Sequence, residues 1–270
     1  MLNFITQFFN NKSLFINNKC IKWNNTLSNF EKIDDFKIIP SYLLLGIDNQ
    51  KEIIIKNTKK FAQGFKTNNA LLWGVRGNGK STLIKSTFNE ISEKYNNIKL
   101  VEINKSDINQ IIKIFNKLKN INNYRFIIFI DDLSFENFDS EYKSIKSMLD
   151  GNISQQPNNV IIYATSNRRH LISQDMIDNE KSSAVHKNEN IEEKVSLSDR
   201  FGLWIGFHNL SQDDYINIFK SYSNFFKINI NETDIKKSLE WSIKRGNRTG
   251  RTAWQYVLEL ASNKEVFIDY

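Results

Sequence analysis

The sequence predicts an α/β protein built on a parallel sheet, and three observations carry that prediction. Short apolar runs alternate with amphipathic helical stretches through the middle of the chain. A glycine-rich segment, Gly74-Val75-Arg76-Gly77-Asn78-Gly79-Lys80-Ser81, joins one such run to one such helix. A second apolar run, Phe126 to Ile130, ends in two acids, Asp131 and Asp132. Alternation of this kind implies right-handed crossovers and a sheet covered by helices on both faces. Ligands of such sheets bind at the carboxyl ends of the strands, where the glycines and the paired acids both fall.

Taken in order, residues 1–40 are polar and Asn-rich, with Leu2, Ile5, Phe8 and Phe9 at helical spacing and Phe15, Trp23 and Phe30 beyond them. They predict an N-terminal helical arm packed on the main domain; a membrane-surface helix is the alternative, and the stretch lacks the basic face it needs. Pro40 ends the arm. Leu44, Ile47, Ile54 and Phe61 predict a helix between Tyr42 and Phe65, which Gly64 closes. The strand candidates are Ala70 to Trp73, Ile98 to Ile103, Phe126 to Ile130, Val160 to Thr165 and Leu203 to Phe207. Helical patterns lie between them at Lys80 to Tyr95, Asp107 to Lys119 and Glu141 to Leu149. Asp175 to Ser198, charged and poor in large apolar residues, reads as a long loop. Three further helices follow, Gln212 to Phe225, Glu232 to Lys244 and Thr249 to Ser262, with Ser211 and Thr233 near two starts as caps and Gly246 after the second. The division expected is an arm (1–40), an α/β domain that carries the glycine-rich segment (41–208) and a small helical unit (209–270).

Composition sets the outer limits. With 270 residues, 40% hydrophobic and 25% charged, the chain can bury a core and is too apolar to be disordered. No apolar run approaches the roughly 20 residues that span a bilayer, and no signal peptide is visible at the N-terminus, so a cytoplasmic protein without a membrane span is expected. Cys20 is the only cysteine, and with His170, His186 and His208 beside it neither an internal disulfide nor a zinc cage is expected. The net charge is +7. It is compatible with a nucleic-acid footprint or with ordinary solvated lysine; the lysines are scattered rather than striped, which favours the second. Of the eight arginines only Arg125 stands apart from the motifs. In a Lys-rich chain that placement suggests forks kept for phosphates.

The motif at 74–81 satisfies G-x-x-x-x-G-K-[ST] in the required context, after a strand and before a helix. Its glycines let backbone N–H groups wrap phosphates, the helix N-terminus adds a positive dipole end, Lys80 meets the β and γ oxygens, and Ser81 can hold Mg²⁺. Gly74, Arg76, Gly77, Asn78, Gly79, Lys80, Ser81 and Thr82 are therefore the candidate phosphate-binding residues. Asp131, at the tip of a neighbouring strand, is the second candidate Mg²⁺ ligand, and Asp132 a candidate base for an attacking water. Tyr163-Ala164-Thr165-Ser166-Asn167 ends the next strand on an amide that can reach a γ-phosphate or the water. Arg200 and Arg251 open two further elements; each is either a transition-state charge stabiliser or a surface ion-pair partner.

The order of phosphate loop, Asp-Asp strand, Thr165-Ser166-Asn167-Arg168, Asp199-Arg200-Phe201 and Gly250-Arg251-Thr252-Ala253 resembles that of AAA+ ATPases, a nucleotide-binding α/β domain followed by a helical lid. More narrowly, Asp131 to Glu136 (DDLSFE), Tyr163 to Leu171 (YATSNRRHL) and Ser196 to Gly202 (SLSDRFG) are similar to a bacterial AAA+ family catalogued only as a domain of unknown function. The resemblance runs from about Pro40 to the C-terminus. It implies ATP and Mg²⁺ as cofactors and a five-stranded sheet in the order 5-1-4-3-2. By the same resemblance, Asn167 corresponds to sensor 1, Arg200 to an arginine finger acting in trans within a homo-oligomer, and Arg251 to sensor 2, with Arg248 as its substitute. Two departures stand out. Most AAA+ proteins carry Glu where this chain has Asp132, with Glu136 nearby as a replacement, and the N-terminal arm is short for a recruitment domain.

Three functions compete on these grounds: an ATPase that remodels or loads a macromolecular client; a nucleotide-switched binding module with little hydrolysis; and a DNA-associated ATPase of helicase-loader type.

Overall fold

Seven strands form one sheet: β1 (Cys20–Asn24), β2 (Asn29–Lys32), β3 (Ala70–Gly74), β4 (Ile98–Ile103), β5 (Arg125–Ile130), β6 (Val160–Ser166) and β7 (Leu203–Phe207). The structure is a computed structural model that describes residues 13–34, 38–135, 144–146, 149, 156–169, 171 and 200–269. The sheet order is β2-β1-β4-β5-β6-β3-β7. Every pairing is parallel except that of β1 with β2.

Each central strand is apolar on both faces, so its residues divide alternately between two cores, as the period of two dictates. Val101, Ile103, Phe126, Ile128, Val160 and Ile162 face one core, closed by Phe15 and by helix α3 (Ile111–Leu118). Leu100, Ile127, Phe129, Ile161 and Tyr163 face the other, closed by α1 (Asp48–Ala62) and α2 (Lys80–Lys94). A third core joins α4 (Gln212–Phe225), α5 (Glu232–Lys244) and α6 (Gly250–Asn263), centred on Tyr215, Phe219, Val257 and Leu260. Ser211 and Asn231 each cap a helix through a reciprocal box with Asp214 and Asp234, and Thr249 caps α6 by accepting from the Thr252 N–H. Such caps contribute about 1 kcal/mol each.

Four expectations are corrected. The sheet has seven strands rather than five, because part of the expected helical arm is a β-hairpin. Residues 13–17 are helical, but Ile21 and Trp23 are buried while Lys22 between them is exposed, a strand period hidden by the polar composition. β1 then lies parallel beside β4, with Cys20 opposite Leu100. Burial pushes the Cys20 thiol up to about 12, which keeps it protonated. Second, the stretch from Tyr42 is not one helix: a single tight turn at Ser41–Leu43 precedes α1, and Gly46 interrupts them with φ +76°. This strap is tied to α2, where Ser86 Oγ donates to the Ile39 carbonyl at 2.6 Å and Ser41 Oγ to Glu90 at 3.1 Å. Third, the helix expected from Asp107 starts as a 3₁₀ segment, Lys105–Gln110, before α3. Fourth, the cap of α5 is Asn231, two residues before Thr233. The helix expected at Glu141 to Leu149 is described only at 144–146, where it is helical, and at 149. Leu2, Ile5, Phe8, Phe9, Glu136, His170, His186, Asp199 and the loop of Asp175 to Ser198 lie outside the described residues. No helix among the described residues is long and apolar enough to cross a membrane.

If the hairpin is integral to the sheet, Trp23, 2% exposed, carries stability. Trp23→Ala should cost about 3–5 kcal/mol in urea unfolding, while Lys22→Ala on the same strand should change it by less than about 0.5 kcal/mol.

Candidate functional site

The carboxyl ends of β3, β5 and β6 meet the start of α6 around a cleft of about 320 Å³. Arg76 to Thr82 form its floor; Asp131, Asp132, Thr165 and Asn167 one wall; Gly250 and Arg251 another. The remaining lining is apolar: Leu44 and Ile47 from the strap and its junction with α1, and Ile218, Tyr222 and Trp254 from α4 and α6.

The loop follows from its glycines. Gly74, with φ +124°, leaves β3 so close to β7 that a Cβ would lie 2.0 Å from the Phe207 carbonyl oxygen, the acceptor of the Val75 N–H at 3.0 Å. Gly77 has φ +86° and backs onto Arg251, whose N–H donates to the Gly77 carbonyl at 3.0 Å. Gly79, at φ +85°, turns the chain into α2. Asn78 Nδ2 anchors the loop to the His208 carbonyl at 2.7 Å.

Lys80 is 6% exposed. Its ammonium donates to the carbonyls of Gly74 (2.8 Å) and Val75 (2.9 Å) and to Asn167 Oδ1 (3.1 Å). Burial pulls it down to about 8; Asp131 and Asp132 draw it back up, and Arg251 and Arg76 press it further down. Ser81 Oγ donates to Asp131 Oδ1 at 2.6 Å, and Asn167 Nδ2 to Asp132 Oδ1 at 2.6 Å. Asp132 itself stands at φ +53°, a left-handed conformation that costs a non-glycine residue about 1 kcal/mol.

Donors and shape fit a polyphosphate with a hard cation. Backbone N–H groups at a helix start, a buried lysine and two arginines suit phosphate oxygens, while Ser81 Oγ and the Asp131 carboxylate are oxygen ligands of the kind Mg²⁺ shares with phosphates and water. Among the described residues no group of three or more His, Cys, Asp or Glu forms an all-protein metal cage.

The sequence-predicted residues from Arg76 to Thr82, with Asp131, Asp132, Asn167 and Arg251, come together here; Gly74 contributes its carbonyl to Lys80. The arginines divide. Arg76 and Arg251 line the cleft; Arg169 lies over Trp73 and Trp204, 5.4 and 5.2 Å from their ring centres, and Arg245 over Trp241 at 3.4 Å. Arg248 is half-buried and does not line the cleft. Arg200 precedes β7, whose Leu203 pairs with Ala70 at the amino end of β3, and so stands at the far end of the strands from Lys80. The sequence reading missed the apolar wall and gave no role to Thr165, whose hydroxyl donates to Asp131 Oδ1 at 2.5 Å. Its place at a strand tip beside the paired acids was the available signal.

The family model described as protein of unknown function (DUF815) matches residues 16–264. Among solved structures, the chain is similar to the Aeropyrum pernix ORC1 protein in complex with DNA, with a TM-score of 0.54 and 12% identity over 86% of this chain and 66% of that one. It is similar to the Aeropyrum pernix ORC2 protein in its ADPNP-ADP complexes, with a TM-score of 0.52, 12% identity and the same coverages. It is also similar to a chain of the E. coli MS115-1 HORMA:CdnC:Trip13 complex, with a TM-score of 0.50 and 10% identity over 81% of this chain and 89% of that one. At these identities the likeness is one of fold, an α/β sheet flanked by helices as in AAA+ ATPases. No curated protein matches the chain.

Because Lys80 must be charged to hold phosphate, affinity for tripolyphosphate should fall by up to about tenfold per pH unit above its pKa, measured by calorimetry between pH 7 and pH 10 as a decline that begins near pH 8. Stability without ligand runs the opposite way: between pH 8 and 10.5 the unfolded chain binds the proton more tightly, so this group's contribution rises with pH. Gly74→Ala should lower stability by about 3 kcal/mol in thermal unfolding, since the new methyl meets backbone rather than a side chain that can move.

Proposed function

The chain belongs to that family of unknown function, and on this premise we propose that it is an AAA+ protein that binds ATP and hydrolyses it with Mg²⁺ to remodel or load a macromolecular partner. The observation that carries the reading is the convergence of Lys80, Ser81, Asp131, Asp132 and Asn167 on one cleft that also has an apolar wall. Counted from β3, the five strands β7-β3-β6-β5-β4 read 5-1-4-3-2, which we take as the AAA+ core with the hairpin added at one edge. Residues 41–208 are then the nucleotide-binding domain and 209–270 the lid.

In this reading the Lys80 ammonium exchanges its carbonyl partners for β and γ oxygens, and the α2 N-terminus holds the same phosphates by its N–H groups. Asp132 takes the proton of the attacking water, which Asn167 orients. Arg251 reaches the phosphates from the lid, its N–H already joined to Gly77, and offsets charge as the bond breaks. Arg200, at the opposite end of the strands from its own cleft, serves the cleft of a second copy. Ser81 and Asp131 would hold Mg²⁺, which when bound would supply positive charge to the phosphate oxygens.

One observation favours a second reading, a nucleotide-switched binding module with little turnover. Asp132 is short for a base and its Oδ1 is engaged by Asn167 at 2.6 Å. Single-turnover phosphate release separates the two readings, because a switch stays near zero even with partners added. For the ATPase, Lys80→Ala should abolish ATP binding, whereas Asp132→Asn should keep binding and lose about a hundredfold or more in turnover. Mixing Lys80→Ala with Arg200→Ala should restore part of the activity that each lacks alone. A protein that binds no ATP at millimolar concentration with Mg²⁺ is incompatible with either reading.

A further inference from the structure

Between the two acids of the cleft lies a hydroxyl with no part in the mechanism above. Thr165, second from the end of β6, is 2% exposed. Its Oγ1 donates to Asp131 Oδ1 at 2.5 Å and accepts the Asp132 N–H at 3.0 Å. Its carbonyl accepts the next amide, Leu133 N–H, at 2.7 Å. One residue therefore holds the side chain of the first acid and the backbone of the second. A hydroxyl supplies one proton and two lone pairs, and here the proton goes to one acid while a lone pair takes the other's amide.

We propose that Thr165 is the positioning residue of this site: it sets the Asp131 carboxylate for the metal and holds Asp132 in the backbone conformation from which it meets water. The inference rests on the nucleotide reading above and adds a residue to it. Two hydroxyls, Ser81 and Thr165, donate to the same oxygen, Oδ1, of Asp131. With its proton committed to Asp131, Ser81 Oγ keeps its lone pairs for a cation, and Thr165 fixes the carboxylate rotamer that makes that commitment possible. Both of these donors leave Asp131 Oδ2 untouched, and that oxygen would be left to help hold the cation.

The second hold concerns shape. Asp132 occupies a left-handed backbone conformation at φ +53°, which an aspartate adopts only when its surroundings specify it. The N–H of Asp132 and that of Leu133 both end on Thr165, one on the side chain and one on the main chain. They fix the turn by which the acid leaves β5, and Asn167, two residues further on, then reaches Asp132 Oδ1. Loss of the Thr165 hydroxyl frees the Asp132 amide and releases Asp131 from one of its two donors. Valine in its place keeps the volume and the β-branch without either hydrogen bond; serine keeps the hydroxyl.

The test compares wild type, Thr165→Val and Thr165→Ser in the full chain, with Mg²⁺ titrated against bound ADP and against ATP turnover. Thr165→Val should raise the Mg²⁺ concentration for half-maximal effect by about ten- to a hundredfold, with ADP affinity in EDTA unchanged, and Thr165→Ser should return the Mg²⁺ requirement close to the wild-type value. A Thr165→Val protein with the wild-type Mg²⁺ dependence overturns the inference, as does a Thr165→Ser protein as impaired as the valine variant. A valine variant that fails to fold, seen as lost ADP binding in EDTA, passes the decision to the serine variant and Thr165→Ala under the same criteria. Wild-type protein that binds ADP with Mg²⁺ dependence but releases no phosphate removes the hydrolysis reading and leaves the binding arm to decide on Thr165.

Discussion

An ammonium drawn out of water needs an acceptor for each of its protons, and Lys80 finds three: the carbonyls of Gly74 and Val75 and the amide oxygen of Asn167. Two of these leave β3 and the third follows β6, so the lysine can be buried only if those strands are neighbours. They pair from Ala70 opposite Tyr163 to Trp73 opposite Ser166. β5, on the other flank of β6, then brings Asp131 and Asp132 to the same end. The order of strands and the chemistry of the cleft are thus one constraint, because a strand placed between β3 and β6 would leave the buried Lys80 charge without its full set of acceptors, a cost of several kcal/mol. Burial is also what lowers the proton affinity of Lys80.

Much of this was legible because the residues concerned have few alternatives. A glycine at 74 is demanded by a carbonyl 2.0 Å from its missing Cβ, and the apolar strands β4, β5 and β6 carry residues that bury on both faces. What escaped the sequence reading was written in weaker signals. The alternation in β1 spans only Ile21 to Trp23 among asparagines and lysines, β2 is only four residues long, and β4, which takes β1 into the sheet, lies some eighty positions away. The apolar wall escaped for a similar reason: Leu44 and Ile47 belong to the sheet's core, Ile218 and Trp254 to helices far along the chain, and only tertiary packing makes them one surface. Thr165 stood inside a recognised motif, yet the partners of its hydroxyl, the Asp131 carboxylate and the Asp132 N–H, follow a different strand.

The arginines show how placement refines composition. Sequence proximity grouped seven of them around the motifs, but proximity along the chain is a poor guide to direction. Arg169 and Arg245 lie over indole rings, where the flat guanidinium gains from the π face, and Arg200 stands at the amino end of β7. Two side chains, Arg76 and Arg251, contribute positive potential to the cleft itself. The arginine charge that lines the cleft is therefore smaller and more focused than the net +7 suggests, and it comes from both sides, Arg76 from the loop after β3 and Arg251 from α6.

The hairpin found in part of the expected helical arm also decides how the sheet ends. Without β1, the backbone of β4 from Leu100 to Glu102 would face solvent with its hydrogen-bonding groups bare, the template on which chains stack into aggregates. β1 covers it and hands the edge to β2, four residues long, whose Glu31 is paired with Lys22 and whose Lys32 is paired with Asp34. A short, charged terminal strand is a poor template for another to join. At the opposite edge the Gln50 amide occupies the Gly206 carbonyl of β7 at 2.9 Å. The protein thereby guards against open-ended growth of its sheet, leaving strand ends and helix faces as the surfaces on which specific contacts can form.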